Sequence, residues 1–407
     1  MTGLVNIRLD IGNERLTVGR LAWRDHRALF EFDPDFIARS LSLSPLRLPL
    51  VTGVQAAPRE PFRGLFGLFA DSLPESYGRL LTDRRLRSLG RDPNILTPLD
   101  RLALVGEGGF GGVRFLPADD IEAETLPVAD LDRLQAEALA VIAGEPSDFL
   151  AMLQRLGGSA GGARPKAQLW LSDTSDRAQT KPAPGLDAWL VKFRAPTDPD
   201  DIGGLEAAYA AMAAAAGIDV APFRLLPSKT GLGHFASRRF DRDAAGPLHL
   251  HSLAGLIEAD PDGASVSYRE YLRVTQFLTR DIRAVEAAFR RMVFNVAAHN
   301  RDDHARNHAF LMDGSGHWRL SPAFDLTFAP GPGGEHYLAV AGEGRAVTRD
   351  HLESEGRAAG LSSKRMSLVI EEVRAAVAKW PEFAKAAGMT SGRIADIQAS
   401  LKSGDAL

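Results

Sequence analysis

Residues 4–32, LVNIRLDIGNERLTVGRLAWRDHRALFEF, alternate apolar and polar side chains, with breaks at GN and RDH. Alternation sends successive side chains to opposite faces of an extended chain, so this segment predicts short antiparallel strands. FADSLPESYGRLLTDRRLRSLG follows with helical spacing and many arginines, which suit a solvated helix face. Residues 118–156 read as helical, with acidic and Ala/Leu-rich turns.

The pattern changes at 157. GGSAGGARPKAQLWLS is a glycine-rich turn running into a strand. A polar Pro/Ala/Asp loop leads to WLVKF, a second strand, and the two read as a hairpin. DIGGLEAAYAAMAAAAGI predicts a strong helix with Gly217 near its end. FRLLPS and GHFASRRFDR read as two more strands, and residues 266–299 as helical. HAFLMD and HWRLSP form a hairpin about a GSG turn, and the chain from 349 onward is helical again. There is no internal repeat. A small sheet carrying one helix, followed by a larger helical lobe, is the layout of a kinase. The expected fold class is α+β: a protein-kinase-like bilobal core with a small β-rich N-terminal subdomain and a mostly helical C-terminal lobe.

Composition narrows the chemistry. The 407 residues suggest two or three domains, and 45% hydrophobic content supports a substantial core. A net charge of −4 argues against coating nucleic acid by charge alone. With no cysteine, disulfides, thiolate zinc sites and cysteine nucleophiles are excluded. The first residues lack a signal peptide's charged start and apolar stretch, and no window is apolar enough to span a membrane. The expected location is cytoplasmic, with no membrane partner.

The candidate chemistry lies in HNRDDHARNHAFL, residues 299–311, where polar groups crowd between apolar flanks. Phosphoryl transfer requires a carboxylate near the acceptor hydroxyl, oxygen ligands for magnesium and a lysine on the phosphates. DDHARN supplies Asp302, four residues, then Asn307, the spacing of a kinase catalytic loop, and NRD stands where protein kinases have HRD. SPAFDL places Asp325 after the next hairpin, as a second hard ligand for magnesium. Lys192 in WLVKF sits where kinases carry the phosphate lysine, and Glu206 on the following helix is its candidate partner. The turn GGSAGG precedes that strand, as a phosphate-covering loop would, although it is neither G-x-G-x-x-G nor a Walker A motif.

These motifs are similar to those of the HipA-like serine/threonine kinases, the toxins of bacterial HipBA-type toxin–antitoxin pairs. VGRLAWRDHRALFEFDPDFIA, LFADSLPESYGRLL and VGEGGFGGVRFLP resemble the family's N-terminal region. SAGGARPKAQL, WLVKF, SRRFDR, FNVAAHNRDDHARNHAFL and LSPAFDL resemble its kinase core, the last two most specifically. The resemblance implies a β-rich N-terminal subdomain at 1–117, an N-lobe-like region at 118–240 and a helical C-lobe with the catalytic loop at 241–407.

It also implies roles. Asp302 takes that of catalytic base, and Asn307 and Asp325 those of magnesium ligands. Gly161, Gly162, Ala163, Arg164, Pro165 and Lys166 form the nucleotide-covering loop, with Lys192 on the phosphates. Arg238, Arg239 and Phe240 fall at the adenine hinge. His304, Arg306 and Asn307 approach the nucleotide from the other side, with Phe324 beside Asp325. Ser159 matches a serine that family members autophosphorylate, which ejects the loop and inactivates the enzyme. The implied cofactors are ATP and Mg2+. The implied partners are a helix-turn-helix antitoxin, a protein substrate of the aminoacyl-tRNA synthetase class, and operator DNA only through the antitoxin.

The chain departs from the family pattern in three places. Arg238 stands where glutamate is common, Arg306 where lysine is frequent, and PLHLHSLAGLIEAD replaces a segment of the best-known members. A small-molecule kinase uses the same Asp-x-x-x-x-Asn and later Asp, but does not require the N-terminal subdomain. A non-catalytic co-repressor acting with an antitoxin would not require the full set of Asp302, Asn307, Asp325 and Lys192.

Overall fold

The alternating N-terminal segment folds as β1 (Leu4–Ile11), β2 (Glu14–Arg24) and β3 (Arg27–Phe32), each antiparallel to the next. Asp25 and His26 both take left-handed backbone angles, φ 51° and 60°, which gives the two-residue turn a twist that matches the strands it joins. After α1 (Pro34–Ala38) come β4 (Val54–Ala56), α2 (Gly67–Ala70), α3 (Ser76–Ser88), α4 (Pro98–Val105) and β5 (Val113–Leu116). The strands form one sheet in the order β4-β3-β2-β1-β5. Val5, Ile7, Leu9 and Ile11 all point inward, as the period of two requires. Phe30 and Phe115 both pack edge-on against Phe69, with ring centroids 5.1 and 6.4 Å apart.

The structure is a computed structural model that describes residues 3–118, 129–159, 161–260 and 266–403. Residues 119–128 of the helical expectation, and Ala160 of the glycine-rich turn, lie outside the described residues. Within the rest of 118–156 the chain forms α5 (Leu131–Ala143) and α6, which runs slightly further (Leu150–Gly157).

Next come β6 (Lys166–Leu171), β7 (Asp187–Lys192), α7 (Ile202–Ala215), β8 (Phe223–Leu226) and β9 (His234–Arg238). The four strands make an antiparallel sheet ordered β6-β7-β9-β8. Small residues let α7 lie close to it: a Cβ at Gly203 would stand 2.1 Å from the carbonyl oxygen of Gly233. The core beneath the sheet joins Leu153, Leu169 and Trp189 to Tyr77 and Leu81 of α3.

The larger lobe begins with a ribbon, β10 (Arg242–Asp243) and β11 (Gly246–Pro247), then β12 (His249–Ser252) and α8 (Leu253–Ile257). The helical stretch at 266–299 is two helices, α9 (Tyr268–Thr279) and α10 (Ile282–Ala297). Arg280 between them is left-handed, φ 52°, and the Asp281 carboxylate caps α10 by accepting from Arg283 N–H. The expected hairpin is present as β13 (Ala309–Met312) and β14 (Trp318–Leu320). It gains a third strand, because β12 pairs with β13. Four helices complete the described residues: α11 (Arg349–Ala358), α12 (Ser363–Val377), α13 (Trp380–Ala386) and α14 (Ser391–Ser403). None of the described helices is long and apolar enough to cross a membrane.

The N-terminal sheet and this lobe share one apolar cluster, which runs from Leu9 and Phe69 to Leu253 and Phe294. At the joint α2 lies directly on α8, where a Cβ at Gly67 would come within 2.1 Å of the Gly255 carbonyl oxygen. Asp71 beside it accepts from His251 Nδ1 at 2.6 Å and from Ser252 N and Oγ at 2.7 Å each.

Candidate active site

Antiparallel pairing of β6 and β7 sets Lys166 directly opposite Lys192. Two like charges across a strand pair repel, so carboxylates are required between them. Two are present. Glu206, buried on α7, lies 2.8 Å from Lys192 Nζ, and Asp325 lies 2.5 Å from the same nitrogen. Burial works against the Lys192 charge, but Asp325 and Glu206 outweigh it and hold the ammonium above its ordinary range. Lys192 in turn keeps the Asp325 carboxyl well below the usual carboxylate range, despite desolvation. Among the described residues no carboxylate pairs directly with Lys166. Its ammonium donates to the Gly161 carbonyl, and burial, reinforced by Lys192, lowers its pKa to about 8 although Asp325 opposes the shift.

The glycine-rich turn is tied down along its length. Arg164 donates to Glu206 at 2.9 Å and reaches Asp198 at 3.2 Å, so Glu206 serves both the turn and Lys192. Pro165 accepts at its carbonyl from Phe193 N–H at 2.8 Å, and Ala163 lies in the turn between. Gly162 is left-handed, φ 83°, and its N–H meets the Glu75 carboxylate from the segment before α3. The other oxygen of Glu75 takes Arg306 Nη1 at 2.6 Å. At the root of the turn Ser159 Oγ donates to the Gly108 carbonyl and accepts from Gln168 Nε2, each at 2.9 Å.

The polar stretch at 299–308 is a loop with one short 3-10 turn over Ala305–Asn307, between α10 and β13. Its two adjacent aspartates have opposite surroundings. Asp303 is buried and accepts from Tyr268 OH at 2.6 Å, His336 Nδ1 at 2.8 Å and Tyr337 N at 2.8 Å. Burial would raise its pKa, but the His336 and Tyr268 bonds bring it below the ordinary value. The Asp302 side chain is 48% exposed, with His304 Nε2 3.9 Å away. Desolvation raises its pKa, with Asp325 adding to the shift and His304 opposing it. A raised carboxylate pKa suits a proton acceptor. Asn307 Nδ2 donates to the Asp302 carbonyl at 2.7 Å, which leaves its amide oxygen as the free acceptor. Asn295 links the loop to Tyr268, bonding Tyr268 OH and Asn300 at 2.9 Å each.

The three hinge residues line one cavity but make different side-chain contacts. Arg238 pairs with Asp187 at 3.1 Å, both side chains exposed. Arg239 stacks on Phe110 at 4.1 Å and binds Asp241 at 2.5 Å, and Asp241 in turn accepts from Gly111 N–H at 2.7 Å. Phe240 lies 5.4 Å from Phe324, centroid to centroid. A cavity of about 200 Å³ adjoins this segment, lined by Phe240, Val220, Pro222 and Pro322 among others.

An ionised carboxylate at Asp325 and an amide oxygen at Asn307 are the hard donors that magnesium takes, the rest of its shell being water and phosphate. Lys166, Lys192, Arg306 and the turn's backbone supply positive charge for a phosphate chain. The donor set therefore fits Mg-nucleotide. Glu75 and the Asp303–Tyr268–His336 prop were not among the expected residues. The doubled Asp in NRDD is a sequence hint of the second, whereas nothing near Glu75 marks it.

Two lobes meeting at a hinge, with a lysine–glutamate pair in the small one and an Asp-x-x-x-x-Asn loop in the large one, define a protein-kinase-like fold, the α+β class expected. Residues 158–380 match the family model of the HipA-like C-terminal domain, and residues 9–116 that of the HipA N-terminal domain. The chain belongs to the HipA-like family. A curated relative, "Putative kinase Y4dM" of Sinorhizobium fredii (strain NBRC 101917 / NGR234), is 28% identical over 241 residues, covering 54% of this chain. The match spans only 58% of that relative's length. Among solved structures, a chain from the Shewanella oneidensis MR-1 toxin–antitoxin complex of HipA, HipB and operator DNA superposes with a TM-score of 0.69. It is 16% identical, and the match covers 98% of this chain and 95% of that one.

Proposed function

We propose that this chain is an ATP- and Mg2+-dependent serine/threonine protein kinase, acting as the toxin of a type II toxin–antitoxin pair. The observation that carries the reading is the convergence of Lys192, Glu206 and Asp325 in one ion cluster. A kinase requires this lysine on the phosphates and this carboxylate on the metal. In the proposal Asp302 accepts the proton of the substrate hydroxyl, and Asn307 and Asp325 hold magnesium. The turn at 161–166 covers the phosphates, and His304 and Arg306 approach from the opposite wall. Arg238 to Phe240 meet the base, with Phe324 beneath. Magnesium would neutralise phosphate charge; the protein's own part is to orient the acceptor and exclude water.

The division into 1–117, 118–240 and 241–407 belongs to this reading, as does a cytoplasmic location. A translation-related protein, of the aminoacyl-tRNA synthetase class, is the proposed substrate. A helix-turn-helix antitoxin is the proposed partner, with operator DNA reached through it. Support for the partner comes from the fold shared with a chain of the HipA–HipB–operator complex.

Ser159 is the proposed autophosphorylation site. Its hydroxyl proton is shared with the Gly108 carbonyl, and a phosphoryl group would replace that proton with a dianion facing a carbonyl oxygen. The root of the turn would then leave its seat. Incubation with radiolabelled Mg-ATP tests the whole reading. Wild type should label at Ser159 and Asp302→Ala should not; equal labelling of both would refute the assignment.

A further inference from the structure

We propose that Glu75 is a resident anion in the nucleotide-phosphate site, which the phosphate chain of an incoming nucleotide must displace. The inference rests on the kinase reading above and adds a residue from outside the kinase core.

Glu75 precedes α3 at the N-cap position, where the shorter side chains of Asp, Asn, Ser or Thr commonly accept from their own helix. Its side chain makes no such bond. It reaches across instead, with one oxygen on Gly162 N–H and the other 2.6 Å from Arg306 Nη1. A Cβ on Gly161 would stand 3.4 Å from the same carboxyl group, at ordinary van der Waals distance, so the turn packs against it. These donors, a left-handed glycine N–H in a phosphate-covering turn and a guanidinium on the facing loop, are of the kind that bind phosphate oxygens. Glu75 occupies them in the manner of a phosphate.

Both occupants cannot be served together. A backbone N–H carries one hydrogen, so Gly162 donates either to Glu75 or to a nucleotide oxygen. Arg306 has several donors and can serve both, but an anion placed there would lie against a carboxylate of like charge. Helix α3 cannot withdraw as a body. A Cβ at Gly78 would come within 2.6 Å of the Gly158 carbonyl, and Tyr77 packs on Gly157, so the helix is seated on the root of the turn. Release therefore falls to the Glu75 side chain, which is 24% exposed and has solvent to rotate into. Nucleotide phosphates meet this competition, whereas a nucleoside without phosphates does not. Glu75 thus lowers affinity for the phosphate chain selectively.

The test is calorimetric titration of the full chain with Mg-ATP and, separately, with adenosine. Glu75→Gln keeps the shape and removes the charge. It should bind Mg-ATP roughly tenfold more tightly than wild type, the order expected when a charged competitor leaves a donor pair, with adenosine affinity unchanged. Unchanged or weaker Mg-ATP binding by a variant that melts like wild type would overturn the proposal and leave the kinase reading intact. If Glu75→Gln does not fold, Glu75→Asp is measured instead. It keeps the charge but is too short to hold both donors, and it should also tighten Mg-ATP binding. Failure of both variants to fold would make Glu75 a structural strut and overturn the displacement. Wild type that binds no Mg-ATP would overturn the kinase reading and this one with it.

Discussion

Changing Asp302 and Asp303 to alanine, one at a time, should separate function from stability between two adjacent identical residues. Asp303→Ala leaves three donors, Tyr268 OH, His336 Nδ1 and Tyr337 N, without their acceptor in a buried site. Each unsatisfied buried donor costs ~1–3 kcal/mol, and the losses are not additive once the site relaxes. Breaking a buried charged network typically costs about 3–5 kcal/mol. An unfolding entropy of ~2.1 cal/mol/K per residue gives roughly 0.85 kcal/mol/K for all 407 residues. A loss of ~4 kcal/mol then lowers the melting temperature by about 5 °C, and by more if a smaller unit melts cooperatively. Asp302 is half exposed and His304 Nε2 lies 3.9 Å from its carboxylate. Its replacement should change stability by less than ~0.5 kcal/mol, under about 1 °C, while transfer falls by at least ~10²-fold. Differential scanning fluorimetry beside a radiolabel assay reads both quantities. A melting temperature lowered by Asp302→Ala and untouched by Asp303→Ala would refute the assignment of roles.

Three further outcomes follow from the ion pairs and buried rings. His249 and His308 are buried with pKa values lowered to about 3 and about 4, mainly by desolvation. The unfolded chain takes up their protons from about pH 6.5 downward while the folded chain does not, so stability falls on acidification over about pH 6.5 to 4, at up to roughly 2.7 kcal/mol per pH unit for the pair. Melts at pH 7.5, 6 and 5 check this, and a protein more stable at pH 5 would contradict it. Lys166, at about 8, should lose its proton as pH rises from 7 to 9, weakening Mg-ATP binding with a midpoint near 8. Lys166→Arg should flatten that profile, as isothermal titration across the range would show. Lys192→Met removes the cation between Glu206 and Asp325, and should lower transfer by roughly 10²–10³-fold and abolish the Mg-ATP-induced rise in melting temperature. A full rise in the variant would place the phosphates elsewhere.

The features legible in the sequence are those fixed over short distances. WLVKF carries its lysine on a strand because a short apolar run with aromatic and β-branched residues favours one. DDHARN, the GSG turn and SPAFDL follow each other closely enough for local geometry to order them. Lys192 and Glu206 were paired from strand-then-helix order, and the structure brings them to 2.8 Å. What escaped depends on distant contacts. The division of the 266–299 helix depends on one left-handed residue, Arg280, which no periodicity reports. Strand β12 is four residues long and acquires its identity only by pairing with β13, some sixty positions later. Glu75 meets Arg306 across 231 positions, and a lone glutamate before a helix start carries no mark of that destination.

The joint between α2 and α8 also has a consequence for synthesis. Asp71 accepts its bonds from residues 180 and 181 positions further along, and Gly67 packs on Gly255. On a ribosome adding ~5–20 residues per second, those partners emerge roughly 9–36 s after Asp71 itself. During that interval the sheet of β1 to β4 can pair and Phe30 can pack on Phe69, but Gly67 lacks the α8 backbone it packs on and Asp71 lacks its donors in β12. The nascent chain therefore carries an unfinished joint that only its own second half can complete, and release before position 255 would leave it open to chaperones, proteases or other nascent chains.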